Sequence, residues 1–170
     1  LEVRSGRSRF TLACLPVEDF PDMAEGDLAH RFAISTADLR RLIDKTSFAV
    51  STEETRYYLN GIYVHTADEG GAKSLRAVAT DGHRLARVDT DLPAGAENIP
   101  GVIVPRKTVA ELRKLIEESD GEIMVALSDS KIRFALDGYI LTSKLIDGSF
   151  PDYESVIPSG NDKILTVDNH

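Results

Sequence analysis

A single cysteine, Cys14, stands in 170 residues. It excludes an internal disulfide framework and a cysteine-based zinc site. A lone thiol is expected to pack as a small hydrophobe in a strand, as suits a reducing compartment. Tryptophan is absent, and 12 Gly and 7 Pro are too few for a collagen-like or low-complexity chain. No apolar run approaches the roughly 18 residues that a membrane helix needs. The opening Leu1-Glu2-Val3-Arg4-Ser5-Gly6-Arg7 is not a signal peptide, and without an initiator methionine the chain reads as cut from something longer. Basic residues are outnumbered, 20 Lys and Arg against 28 Asp and Glu, and the net charge of −8 argues at face value against nucleic acid. That charge is only a sum, and where the basic residues sit matters more. There is no glycine-rich phosphate loop, no His-x-x-x-His pair and no carboxylate cluster with metal spacing, so no cofactor or metal is implied. His30, His65 and His170 are scattered and read as structural or exposed.

What remains is an ordinary globular composition, 42% hydrophobic and 28% charged, long enough for one domain with flanking pieces. Residues 8–15 read as a strand, followed by a loop through Pro16, Phe20-Pro21-Asp22 and Gly26. His30 to Ser35 is a short strand. From Thr36 a helical pattern places Leu39, Leu42, Ile43 and Thr46 on one face and Arg40, Arg41, Asp44 and Lys45 on the other. Ser35 or Thr36 is a plausible N-cap, with Asp38 in an acidic first turn. A strand over 57–66, a hairpin loop at Asp68-Glu69-Gly70-Gly71 and strands over 75–80 and 84–89 follow. Beyond a Pro/Gly-rich connection from Leu92 to Gly101, Val102-Ile103-Val104 is a strand and Pro105 opens a helix over 106–119. Alternating runs over 122–127, 131–136 and 139–146 are joined by Ser128-Asp129-Ser130 and Asp137-Gly138, and a last strand is predicted over 163–167.

Two self-similarities organise these elements. Leu39-Arg40-Arg41-Leu42-Ile43 recurs as Leu112-Arg113-Lys114-Leu115-Ile116, each after a short strand and before a meander. Leu15 with Phe20-Pro21-Asp22 recurs as Leu145 with Phe150-Pro151-Asp152. The simplest account is an α+β domain of two strand–helix–meander halves, with two amphipathic helices on antiparallel sheet. The tail of one further copy would precede it and the start of another would follow.

The most informative stretch runs from Leu75 to Val88. Two alternating strands flank a polar break, Thr80-Asp81-Gly82-His83-Arg84, which fixes polar groups at one spot on a rigid scaffold. Ala79 to Ala86 resembles a signature of the bacterial sliding clamp, the beta subunit of DNA polymerase III. Val3 to Phe10, Arg56 to Gly61, Val102 to Lys107 and Thr142 to Tyr153 also resemble sliding-clamp sequence, in family order. The resemblance implies a DNA-clamp fold and a non-catalytic processivity factor of the cytoplasm. In that family, subunits of three similar domains pair into a homodimeric ring that encircles duplex DNA without sequence specificity. Residues 1–27 would be the end of the first domain, 28–155 the complete middle domain and 156–170 the start of the third. The piece alone would be monomeric.

By the same resemblance the helices face the DNA, through Arg40, Arg41 and Lys45 on the first and Arg106, Lys107, Arg113 and Lys114 on the second. Tyr57 and Tyr58 resemble a DNA-touching loop, although Glu53 and Glu54 beside them disfavour phosphate. The polymerase III catalytic subunit, the clamp loader and other clamp-motif proteins would insert a peptide with Leu and Phe anchors into a pocket. This chain's share of it is Leu59, Thr80, Gly82, His83, Arg84, Leu85, Pro151 and Val156. Ser155 stands where family members can carry a basic side chain.

Read from the residues alone, the basic positions are an ordinary solvated helix face, Asp81-Gly82 is a turn and Tyr57-Tyr58 is one buried and one exposed strand tyrosine. Two other classes remain. Asp81 and His83 could serve as acid and base with Thr80 or Ser143 as nucleophile, yet no nucleophile elbow surrounds either. A tandem β-rich adhesion module would also fit the repeats and the acidity.

Overall fold

The computed structural model describes residues 1–19, 28–117 and 119–168. At its start, β1 (Glu2–Ser5) and β2 (Ser8–Thr11) form a hairpin that turns on Gly6, at φ 57°. The strand expected over 8–15 is shorter. Leu12 still donates to the Leu1 carbonyl at 2.8 Å, but no residue of β1 faces Ala13 to Leu15, and Cys14 is exposed outside any strand rather than packed within one. Phe20-Pro21-Asp22 and Gly26 lie outside the described residues.

The two expected halves follow in order. The first is β3 (His30–Ser35), α1 (Thr36–Asp44), β4 (Gly61–Glu69), β5 (Ala72–Thr80) and β6 (Leu85–Asp91). The second is β7 (Val102–Pro105), α2 (Arg106–Leu115), β8 (Glu122–Leu127), β9 (Lys131–Leu136) and β10 (Tyr139–Lys144). They are interlocked by an exchange of lead strands. The sheets run β10-β9-β8-β3 and β6-β5-β4-β7, so each opening strand pairs antiparallel with the other half's meander. Tight two-residue turns close two of the hairpins. Gly70-Gly71 (φ 64° and 89°) and Asp137-Gly138 (φ 34° and 81°) both take the left-handed pair of conformations that matches strand twist.

Inward-facing residues of both sheets meet one face of each helix. Leu42 and Ile43 of α1 and Val109 and Leu112 of α2 pack among Phe32, Ile62, Leu75, Ile123 and Phe134, and the packing leaves an apolar void of only about 50 Å³. Ser35 caps α1, its hydroxyl accepting from the Asp38 amide at 3.0 Å. The helix expected over 106–119 ends at Leu115, where α1 reaches it. Arg40 donates to the carbonyls of Ile116 (2.5 Å), Glu117 (3.1 Å) and Ser119 (3.3 Å), at the C-cap of α2 and just past it. Arg113 returns the tie by pairing with Asp44 at 2.6 Å. The pentapeptide similarity is therefore not a register equivalence, since its second copy lies about one turn later in its helix.

Other boundaries shift for local reasons. Tyr57–Leu59 is a 3-10 turn rather than strand, and β4 starts at Gly61, where a side chain would run into the Val104 backbone. β10 ends at Lys144: the Leu145 amide still bonds in register to the Ser130 carbonyl (2.8 Å), but the Ile146 amide turns away to Ile103 of β7 (3.0 Å). The strand expected over 163–167 is absent. This segment finds no neighbouring edge among the described residues, and Ile164 and Leu165 are exposed.

Arg40→Ala should lower stability by about 1–3 kcal/mol, the range for a charged donor lost from partly buried acceptors, whereas Arg106→Ala should leave the urea midpoint unchanged. Urea unfolding of the two variants beside the parent checks both.

Candidate functional site

Alternation along β5 sends Leu75 and Ala77 into the core and Arg76 to the outer face, opposite His65 of β4 and Asp89 of β6. Arg76 is only 1% exposed. It donates to Asp89 (2.5 Å), Glu69 (2.6 Å), the Tyr153 hydroxyl (3.2 Å) and Glu154 (3.3 Å). These hydrogen bonds, Asp89 first, raise its pKa, so it stays charged. His65 Nδ1 is 2.9 Å from the Thr66 carbonyl, which can only accept, so in the neutral ring Nδ1 carries the proton and Nε2 accepts from the Tyr153 hydroxyl at 3.0 Å. Burial lowers the His65 pKa and raises that of Tyr153, which keeps both neutral. Beside them Tyr63 stacks on Phe150, with centroids 4.8 Å apart and planes at 8°, and on His65. The segment after β10 is thus fastened across the outer face of β4–β6 by one buried cation and an aromatic stack.

The Thr80–Arg84 turn holds its own shape. The Thr80 hydroxyl accepts from the Gly82 amide (3.1 Å) and donates to the Arg84 carbonyl (2.7 Å). The Asp81 carboxylate accepts from the amides of His83 (2.9 Å) and Arg84 (3.0 Å) and from Arg84 Nε (3.0 Å). Those backbone bonds pull its pKa down to about 2, which suits a turn-former and not a proton donor near neutrality. Gly82 is required by its φ of 89°, and a Cβ there would also displace the Arg56 guanidinium, 2.5 Å away. Arg56 is held by Glu53 at 2.6 Å, and Arg84 sits over the Phe48 ring, 5.7 Å from its centroid.

Turn and fastened segment face each other across an open groove of about 620 Å³. Of the residues expected there, Thr80, Gly82, His83, Arg84, Leu85 and Val156 line it. Leu59 is buried and Pro151 is exposed, and neither is among its lining residues. Three that sequence reasoning missed complete it: Arg87, Ile157 and Pro158. Arg87 was findable, because period two from Leu85 puts it on the same face. Ile157 and Pro158 carry no such signal, since their place depends on Tyr153. The hydroxyl of Ser143 is 2.6 Å from that of Thr108 and donates to the Lys144 carbonyl.

The basic helix residues divide into two groups. Arg40 and Arg113 bind across to the other helix, Arg41 donates to the Asp89 carbonyl (3.0 Å) and Lys114 pairs with Glu111 (2.9 Å). Lys45, Arg106 and Lys107 are exposed and make no ion pair among the described residues. Tyr57 is exposed and Tyr58 half-buried, their rings edge to face at 5.8 Å, on a turn rather than a strand. No group of metal-ligating side chains occurs and no helix is long and apolar enough to cross a membrane, among the described residues.

Two helices on antiparallel sheets with exchanged lead strands, and a groove on the outer face, define a domain of the DNA-clamp fold. A DnaN sliding clamp from Bartonella birtlesii bound to griselimycin superposes with a TM-score of 0.87 at 54% identity, over 95% of this chain and 43% of that one. A Caulobacter crescentus beta sliding clamp gives 0.88 at 57% identity, over 95% of this chain and 43% of that one. The family model described as DNA polymerase III beta subunit, central domain, matches residues 33–152, and the chain belongs to that family. The beta sliding clamp of Caulobacter vibrioides is 59% identical over 169 residues, 99% of this chain and 45% of that protein. That of Escherichia coli K12 is 44% identical over 165 residues, 96% of this chain and 43% of that protein. The chain spans less than half the length of these relatives.

Because the Asp81 pKa is depressed in the fold, its contribution to the turn is complete above the ordinary carboxylate range and is lost as pH falls through about 2. The His83 and Arg84 amide resonances should move with that midpoint, and Asp81→Asn should abolish the titration. Tyr153→Phe should speed amide exchange at residues 154–157 several-fold while leaving β4–β6 protected, as judged by hydrogen exchange; uniform acceleration would instead mean global loosening.

Proposed function

We propose that this chain is the middle region of a sliding clamp. Residues 1–27 would close a first domain, 28–155 form the middle domain and 156–170 open a third. The whole protein is then a non-catalytic, cytoplasmic homodimeric ring around duplex DNA. It tethers the polymerase III catalytic subunit, the clamp loader and other proteins that carry a clamp-binding peptide. DNA contact falls chiefly to Lys45, Arg106 and Lys107, whose charges are not committed to other side chains, with Tyr57 at the edge. Sparse contacts of this kind are weak, salt-sensitive and blind to sequence, as sliding requires.

The observation that carries the reading is the groove between the Thr80–Leu85 turn and Val156–Pro158, in a chain 59% identical to a beta sliding clamp. Leu85, Val156, Ile157 and Pro158 supply an apolar floor for a hydrophobic anchor, and Gly82 lets a ligand reach the backbone. Leu59 and Pro151, which the resemblance assigns to the same pocket, would have to join it through movement on binding.

Titrating the labelled chain with a peptide carrying Leu and Phe anchors should shift amides within 80–87 and 154–157, and a scrambled peptide should shift none. Calorimetry should find binding much weaker than to a full-length clamp. No shifts at high peptide concentration, or equal affinities for the two proteins, would sink the proposal.

A further inference from the structure

The Tyr153 hydroxyl joins the segment after β10 to both His65 and Arg76, and it has a single hydrogen to give. In the neutral ring that hydrogen points at His65 Nε2, 3.0 Å away, because Nδ1 carries its own proton toward the Thr66 carbonyl. From this arrangement we propose that His65 is a proton-operated latch. Neutral, it holds the strap formed by residues 150–158 on the outer face of β4–β6, and protonated, it loosens that strap. Val156 to Pro158 lie on the strap, so the groove loses that wall when the latch opens, whatever the groove binds.

Protonation places a second donor at Nε2, and the Tyr153 oxygen must then accept from His65 as well as from Arg76 Nη1 at 3.2 Å. Its hydrogen has to swing to Glu154 Oε1, 3.2 Å away, an acceptor that Arg76 already uses at 3.3 Å. The same step sets an imidazolium beside the buried guanidinium of Arg76, its neighbour across the β4–β5 ladder. The charged groups around the ring are Arg76 of β5, Asp89 of β6, Glu69 at the end of β4 and Glu154 of the strap, with Arg87 of β6 behind Glu69. All three carboxylates are bonded to Arg76, so they compensate that cation first. The imidazole itself lies between Tyr63, with centroids 4.8 Å apart, and Tyr153, at 5.8 Å. Burial is the largest influence on its pKa and holds it below the ordinary value. Arg76 acts in the same direction, while the Thr66 carbonyl, Glu154 and Asp89 act against it. Tyr153 leaves with the strap, so lifting the strap returns the imidazole to water. The lifted state therefore takes up the proton more readily, and acid favours lifting. The strap is held fully above the ordinary histidine value of about 6.5, and its hold weakens as pH falls from there through the lowered value.

The test is hydrogen exchange of the 170-residue chain, read as protection factors at about pH 7.5 and about pH 5.5, a window above the ordinary carboxylate range. Protection at residues 152–157 should fall several-fold at the lower pH while β4 and β5 stay protected. His65→Gln, whose amide oxygen can take the Tyr153 hydrogen but cannot titrate, should remove the pH dependence. His83→Gln, which changes the histidine across the groove from Val156, should keep it. In NMR spectra the His65 ring should titrate below about 6.5 in the parent chain, and Tyr153→Ala should raise the midpoint toward that value, because coupling between proton and strap is reciprocal. Equal protection at the two pH values, a pH dependence that survives H65Q or vanishes in H83Q, or a midpoint that Y153A leaves in place overturns the proposal. Should H65Q leave the strap unprotected at both pH values, the Y153A midpoint decides: a rise supports the latch and no change overturns it.

Discussion

A cation inside a sheet face is stable only if acceptors surround it, and Arg76 has gathered acceptors from three parts of the chain. Asp89 and Glu69 come from flanking positions of the same sheet, and Tyr153 and Glu154 come from the segment that follows β10. Removing that segment would take two acceptors from a buried charge, whose desolvation is costly. The requirement of Arg76 for partners is therefore what fixes the path of the chain after residue 144. Everything on the second wall of the groove inherits its position from that bond set and from the Tyr63–Phe150 stack.

The first wall is organised separately. Thr80 and Asp81 bind the turn's own amides and carbonyl, so the side chains with the strongest local hydrogen bonds build the rim rather than serve a ligand. Arg56 beneath Gly82 and Phe48 beneath Arg84 seat the turn on neighbouring loops. Leu85, Arg87 and the apolar residues 156–158 remain turned toward the groove. A rigid turn facing a fastened strap suits recognition of a short extended segment, because little ordering entropy is lost when the ligand docks.

The same division between holding and reaching governs the basic helix faces. Arg40 and Arg113 look alike in sequence to Lys45, Arg106 and Lys107, yet the first two join the helices to one another. Arg40 does so by satisfying carbonyls just past the end of α2. Charge at a helix surface is thus an ambiguous sign of DNA contact until its partners are known.

Periodicity and turn chemistry were enough to identify both helices, the two meanders and the α+β class. These rest on local physics: alternation that needs one buried face, Asp-Gly and Gly-Gly turns that need positive φ, and a Ser35 cap. The turn at residues 80–84 was legible too, since polar and turn-forming residues interrupt two apolar strands there. Three things were decided only in the tertiary structure. The exchange of β3 and β7 between sheets depends on long-range pairing. The strand expected over 163–167 finds no edge to join among the described residues. The far wall of the groove needed a buried arginine and a tyrosine 77 residues apart in sequence to meet. Local sequence decides which conformations a segment favours, whereas burial of Arg76 is a property of the folded sheet, and only there does it dictate where Val156 to Pro158 must lie.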